Sequence, residues 1–197
     1  MQNVKEIFKK HSGYAYLKDL KKQGVHMDTI RKLLVRGEIE KIKSGLYRLS
    51  DFAMMAHQGF VDVCMAIPKA VVCLHSALSY YELTTIVPEV IMVAVPRETK
   101  APHLEYPPVK VFYFSQTNYK KGIKKVHTKN GDFRIYEIEK TIVDCFRYRN
   151  KLGEDVAIEG LRNYLKLKDA NINRLFLRAR EGRMYRIIKP YVEALMV

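Results

Sequence analysis

Val4, Ile7 and Phe8 fall on one side of a helical turn pattern in QNVKEIFKK, and His11-Ser12-Gly13 then breaks it, which predicts a short helix over residues 2–10. Tyr16, Leu17 and Leu20 repeat the spacing in YAYLKDLKKQ, so a second helix is expected over residues 14–23 with Gly24 as its stop. A third is expected in MDTIRKLLVRG, where Ile30, Leu33 and Leu34 turn inward and Asp28 stands where a cap would. The period then changes from helical to alternating. In EIEKIKSGLYRLSD the pair Ser44-Gly45 signals a two-residue turn between two half-buried strands. That turn would set Ile42 against Tyr47, Lys41 against Arg48 and Lys43 against Leu46. Lys41 opposite Arg48 is a like-charge pair, which costs a few tenths of a kcal/mol, about 1 at most, unless the side chains splay or a polyanion lies there.

Residues 51–66 read as a linking helix closed by Pro68, and VVCLHSALSYYELT as a buried helix with Leu74, Ala77, Leu78 and Tyr81 inward. VIMVAVP is a continuous β-branched run, the pattern of a central strand over residues 90–96. VKVFYF and FRIYEI predict further strands, with residues 120–131 between them as an exposed loop or irregular strand. From Lys140 the pattern is helical to the end, in four segments. The expected fold class is therefore mixed α/β. Three short helices and a basic hairpin stand in the order of a winged helix-turn-helix, placing a first domain at residues 1–52 and a mixed α/β domain at 53–197.

Charge sharpens this division. The chain of 197 residues carries a formal +14, and its first fifty residues hold twelve Lys/Arg against five Asp/Glu, or +7. So basic a protein calls for an acidic partner, nucleic acid or an anionic surface. In a helix-turn-helix the second helix of the pair enters the major groove. Thr29, Arg31, Lys32 and Arg36 face outward on the third helix and become candidates for bases or phosphates. Lys41, Lys43 and Arg48, with Ser44 at the turn, would meet the adjacent backbone, which answers the like-charge pair.

A second set of cations, Lys120, Lys121, Lys124, Lys125, Arg174 and Arg178, is either solvated or extends the footprint. Asp132, Glu137, Glu139, Lys140 and Asp144 are the candidates for a metal-dependent nuclease, although Glu139 and Lys140 also suit the start of a helix. His75 and Ser76 are neighbours that point apart on a helix, so a packed histidine is expected rather than a nucleophile and base. No paired metal-ligand spacing and no glycine-rich phosphate loop occurs, so no cofactor is expected. Cys64, Cys73 and Cys145 are isolated thiols, as in a reducing compartment. No apolar run is long enough for a membrane span, and a soluble, cytoplasmic protein is expected.

Several blocks taken in order carry a resemblance. The hairpin KIKSGLYRLSD, then VVCLHSALSYYELT, VIMVAVPR and YEIEKTIVDCFRYRNKLGEDVAIEGLRNYL, resembles the AbiEi family of antitoxins over nearly the whole chain. The resemblance implies a winged helix-turn-helix that binds inverted repeats in its own promoter and represses it. It further implies a C-terminal domain that counteracts a co-transcribed nucleotidyltransferase toxin in a type IV system, without required contact between the two proteins. Thr29, Arg31 and Lys32, with Lys43, Ser44 and Gly45, are the positions on which it bears. A nuclease, an RNA-binding module and a ligand-sensing repressor stand as alternatives.

Overall fold

The computed structural model describes residues 4–52, 56–104 and 106–196. α1 (Val4–Lys9) buries Ile7 and Phe8, β1 (Tyr14–Tyr16) follows, and then come α2 (Leu17–Lys22), α3 (Met27–Val35), β2 (Ile39–Lys43) and β3 (Leu46–Leu49). These strands form one antiparallel sheet in the order β1-β3-β2. The second predicted helix is therefore shorter than expected, because Tyr14–Tyr16 is a strand. Tyr14 and Ala15 pack into different clusters, a period of two, and the ladder to β3 satisfies backbone groups that a first helical turn would leave open. α2 starts only at Leu17, whose N–H donates to the Gly45 carbonyl at 2.9 Å.

The hairpin has its turn at Ser44-Gly45 as expected, with Gly45 at φ 75°, but its register is different. Lys43 faces Leu46, Lys41 faces Tyr47 and Glu40 faces Arg48, with the irregularity between Lys41 and Lys43. Ile42 is the extra residue of this bulge and is buried with Tyr14, Leu46 and Val61. The shift removes the like-charge pair and puts an acid opposite Arg48.

The predicted helix over 51–66 is also shorter: residues 53–55 lie outside the described residues, Ser50–Phe52 form one tight turn, and α4 spans Gln58–Ala66. Next come β4 (Val71–Val72), α5 (Leu74–Tyr80), β5 (Ile91–Pro96), β6 (Val109–Phe114), α6 (Gln116–Lys120), β7 (Ile123–Thr128) and β8 (Gly131–Tyr136). The chain ends in α7 (Ile138–Arg147), α8 (Arg149–Leu152), α9 (Glu154–Leu165), α10 (Ile172–Glu181) and α11 (Tyr185–Leu195). Five strands form a mixed sheet in the order β6-β5-β4-β8-β7, parallel at β6/β5 and β4/β8. The fold class is thus mixed α/β. Of the two expectations for residues 120–131, loop or irregular strand, the strand is found, and it is regular: β7 is an edge strand paired with β8 along its length, and its exposed lysines suit an edge that must not pair further.

β5 shows how the sheet divides its two sides. Met92 and Ala94 pack with α5, α7 and the C-terminal helices, whereas Val93 and Val95 pack on the face that holds α4. Tyr14, Ile42 and Leu46 join this second cluster, so the first sheet packs against α4. Among the described residues no helix is long and apolar enough to cross a membrane.

A buried polar chain crosses the same contact. Arg48 Nη1 donates to Asp62 Oδ2, Arg48 Nη2 to Glu40 Oε2 at 2.5 Å, and Tyr14 Oη to Asp62 Oδ1 at 2.5 Å. Gln58 Nε2 donates to Tyr14 Oη at 2.6 Å, and Asn130 Nδ2 to Gln58 Oε1 at 3.2 Å. The side chains of Arg48 and Asp62 are only 2% and 1% exposed, so neither charge has water to fall back on. Burial, then the Asp62 carboxylate, push the Tyr14 phenol up, and it stays a donor. Asp62→Ala is expected to cost up to about 3 kcal/mol in urea denaturation, because it leaves the buried Arg48 charge with only the part-exposed Glu40 as partner. The Arg48→Met/Asp62→Leu double variant is expected to lose clearly less than the two single variants added together; an additive loss would show that the pair is not coupled.

Candidate nucleic-acid interface

α3 is held from one side only. Ile30 is its single fully buried residue, with Leu33 and Leu34 half-buried, so the outer half of the helix is open. Arg31, Lys32 and Arg36 are exposed there, and Thr29 is half-buried. Arg31 Nη1 lies 3.3 Å from Asp28 Oδ1 in a pair whose side chains are 73% and 80% exposed, and which water screens. Arg36 lies 3.8 Å from Glu38, which also pairs with Lys5 at 2.7 Å. Asp28 is not the cap: His26 occupies that position and its side chain makes no capping bond.

On the hairpin, Lys41 and Ser44 are exposed, but two other predicted contacts are used inside the fold. Arg48 is corrected: buried in its pair with Asp62, it cannot reach phosphate. Lys43 Nζ donates to the Ala66 carbonyl at 2.6 Å, at the C-terminal end of α4, where the helix dipole favours a cation. Lys43 thus fastens the hairpin to α4.

Sequence reasoning missed the lysines of α2. Leu20 is the one buried residue of that helix, and Lys18, Lys21 and Lys22 surround it on the outer side. Their signal is the placement of Leu20 alone among basic residues, which a helical reading of residues 14–16 obscures. Lys21, Lys22, Lys32 and Lys41 make no ion pair among the described residues.

The second basic set divides differently. Arg174 Nη2 lies 2.9 Å from Glu139 Oε2, and Arg178 Nε lies 2.5 Å from Glu137 Oε1 with Nη1 2.9 Å from Glu181. These two arginines fasten α10 to the start of α7 and do not form an open basic stripe. Lys121 is 3.6 Å from Glu181 and Lys125 is 2.8 Å from Asp132, while Lys120 and Lys124 are exposed.

The same pairs account for the acids considered for a metal. Asp132 takes Lys125 and His127, which lower its pKa, Glu137 and Glu139 take the two arginines, and Asp144 takes Lys140. Among the described residues no group of three or more His, Cys, Asp or Glu is placed to hold a metal ion. Ser76 Oγ accepts from the Met92 N–H at 2.8 Å, fixing α5 to β5, and His75 beside it is half-buried with its pKa lowered by burial. Cys73 and Cys145 are buried thiols whose pKa values burial raises.

No protein-family model matches the chain, and no curated protein matches it. Lys43→Met is expected to lower stability by about 1–2 kcal/mol through the lost charged hydrogen bond, measured by urea denaturation. Lys41→Met, with an exposed side chain, is expected to change it by less than about 0.5 kcal/mol. Equal effects at the two sites would remove the Lys43 contact from the folded state.

Proposed function

We propose that the protein is a DNA-binding transcriptional repressor whose residues 1–52 act as a winged helix-turn-helix. One observation carries this reading: α3 turns Arg31, Lys32 and Arg36 outward, and unpaired lysines of α2 and β2 belong to the same small unit. An α-helix with side chains is about 10–12 Å across, the width of the B-DNA major groove. In this reading α3 enters the groove, Arg31 or Lys32 contacts base edges, and Lys21, Lys22 and Lys41 meet the flanking phosphates.

The rest of the proposal rests on the resemblance of the HSAL, VPR and EKTIVDCFR blocks. Its target is inverted repeats in its own promoter, and its C-terminal part is the antitoxin to a nucleotidyltransferase toxin in the cytoplasm. The mixed sheet and the C-terminal helices would carry the antitoxin role.

The test is binding to the protein's own upstream DNA and to a scrambled duplex of equal length over a salt series. Specific binding tighter by about a thousandfold or more is expected. Equal affinity for both duplexes, or preference for single-stranded RNA, would overturn the repressor reading. Arg31→Ala or Lys32→Ala is expected to cost about 1–3 kcal/mol on the specific duplex and much less on the scrambled one. Lys41→Ala is expected to weaken both and to reduce the slope of log K against log salt by about 1; an unchanged slope would take the hairpin out of the interface.

A further inference from the structure

Far from α3 along the chain, α6, the end of α7 and the turn between α10 and α11 enclose an open basin of about 320 Å³. Lys121, Arg147 and Arg183 line it together with the polar side chains of Ser115 and Asn118. A volume of this size is at the small end of ligand sites, roughly 300–1,000 Å³. Glu181 is the one acid in the lining, and it is already held by Arg178 at 2.9 Å, leaving Lys121 a longer contact of 3.6 Å. The lining is therefore cationic on balance.

Arg147 is set in place from behind. Its Nη2 donates to the Gly182 carbonyl, and its Nε lies 3.7 Å from Oδ1 of the buried Asp144. Asp144 Oδ2 accepts from Lys140, the Asn118 side chain approaches the same carboxylate, and Oδ1 faces the guanidinium and helps to orient it by charge. Gly182 permits this approach, since a Cβ there would stand 2.8 Å from Val143 Cγ1 and 3.1 Å from Arg147 Nη2.

Arg183 occupies a position that its own backbone disfavours. The Met184 N–H donates to the Ala179 carbonyl at 2.8 Å and the Arg183 N–H to the Arg180 carbonyl at 3.0 Å, the pair of bonds that ends a helix around a left-handed residue. Glycine is the usual occupant of that position, but here an arginine holds it at φ 55°. Stability alone would select glycine.

We propose that this basin binds a terminal phosphate monoester, with Arg147, Arg183 and Lys121 on its oxygens and the Ser115 hydroxyl as a neutral donor. A planar guanidinium suits phosphate through paired N–H donors, and three cations suit a dianion better than the single charge of an internal phosphodiester. Two sources share this chemistry: a free mononucleotide and the phosphorylated end of a nucleic acid strand.

The experiment is calorimetric titration of the full chain with a nucleoside 5′-monophosphate, the parent nucleoside, and a short oligoribonucleotide with and without its 5′-phosphate. Binding that requires the terminal phosphate is expected. Binding of the mononucleotide assigns a small-molecule ligand, and binding of the phosphorylated oligonucleotide alone assigns a strand end. Arg183→Gly is expected to weaken that binding tenfold or more while leaving the melting temperature without ligand unchanged or higher. Lys121→Ala is expected to weaken it without loss of fold, and Lys32→Ala to leave mononucleotide binding unchanged, which separates this site from the α3 reading. Failure of both phosphorylated probes to bind at millimolar concentration, equal binding with and without the phosphate, or full binding by Arg183→Gly would overturn the proposal.

Discussion

The contact between Arg48 and Asp62 fixes the relation between the two sheets. Burying both charges is costly in a low-dielectric interior, and the cost is offset only if each keeps its partner in good geometry. Arg48 therefore holds β3 against α4, Tyr14 and Gln58 complete the coordination of Asp62, and Asn130 extends the chain to the β7–β8 turn. Apolar packing of Ile42 and Leu46 against Val61 supplies attraction at this boundary, but that attraction is non-directional. The hydrogen bonds add the direction. In consequence α3 and Lys41 are held in one orientation relative to the mixed sheet.

A second interior pair performs the same task on the other face of the mixed sheet. Lys140 and Asp144 sit one turn apart on α7, with the Lys140 ammonium 4.5 Å from the ring centre of Tyr136 and 5.1 Å from that of Phe114. Burial lowers the lysine pKa and raises that of the aspartate, while their mutual attraction opposes both shifts. The arrangement ties α7 to the sheet strands and leaves Asp144 Oδ1 directed at Arg147. A buried pair thereby sets the position of a surface arginine.

Legibility in the sequence followed the range of the interactions. The helical period of Ile30, Leu33 and Leu34 and the β-branched run of residues 90–96 depend on local backbone preference and burial, and the elements lie within a residue or two of where the pattern placed them. Residues 14–16 defeat the pattern because Tyr16, Leu17 and Leu20 also satisfy a helical spacing, and the deciding partner, β3, is about thirty residues away. The hairpin register differs for a related reason. Its two-residue turn is as expected, but the bulge buries Ile42 with Val61, and the register sets Arg48 beside Asp62, neither visible from the hairpin itself. Of the predicted contacts, Arg31, Lys32, Arg36, Lys41 and Ser44 are exposed, whereas Arg48 and Lys43 bind within the fold.

This separation changes the meaning of the net charge. A formal +14 invites the view that every basic cluster is a surface for polyanions. Yet Arg48, Lys140, Arg174 and Arg178 each answer a carboxylate on another element or another turn, and Lys43 answers a helix end. Five cations are therefore structural, and removing any of them would disturb packing before it disturbed binding. Lys21, Lys22, Lys32 and Lys41 on α2, α3 and β2 have no ion pair among the described residues, and neither do Lys120 and Lys124 on α6 and β7, so repulsion among them is relieved by solvent, salt or an anion. A polyanion relieves it most fully, since one backbone brings several phosphates at the spacing of one small surface. Unmet charge, rather than total charge, separates the cations open to a partner from those used inside the fold.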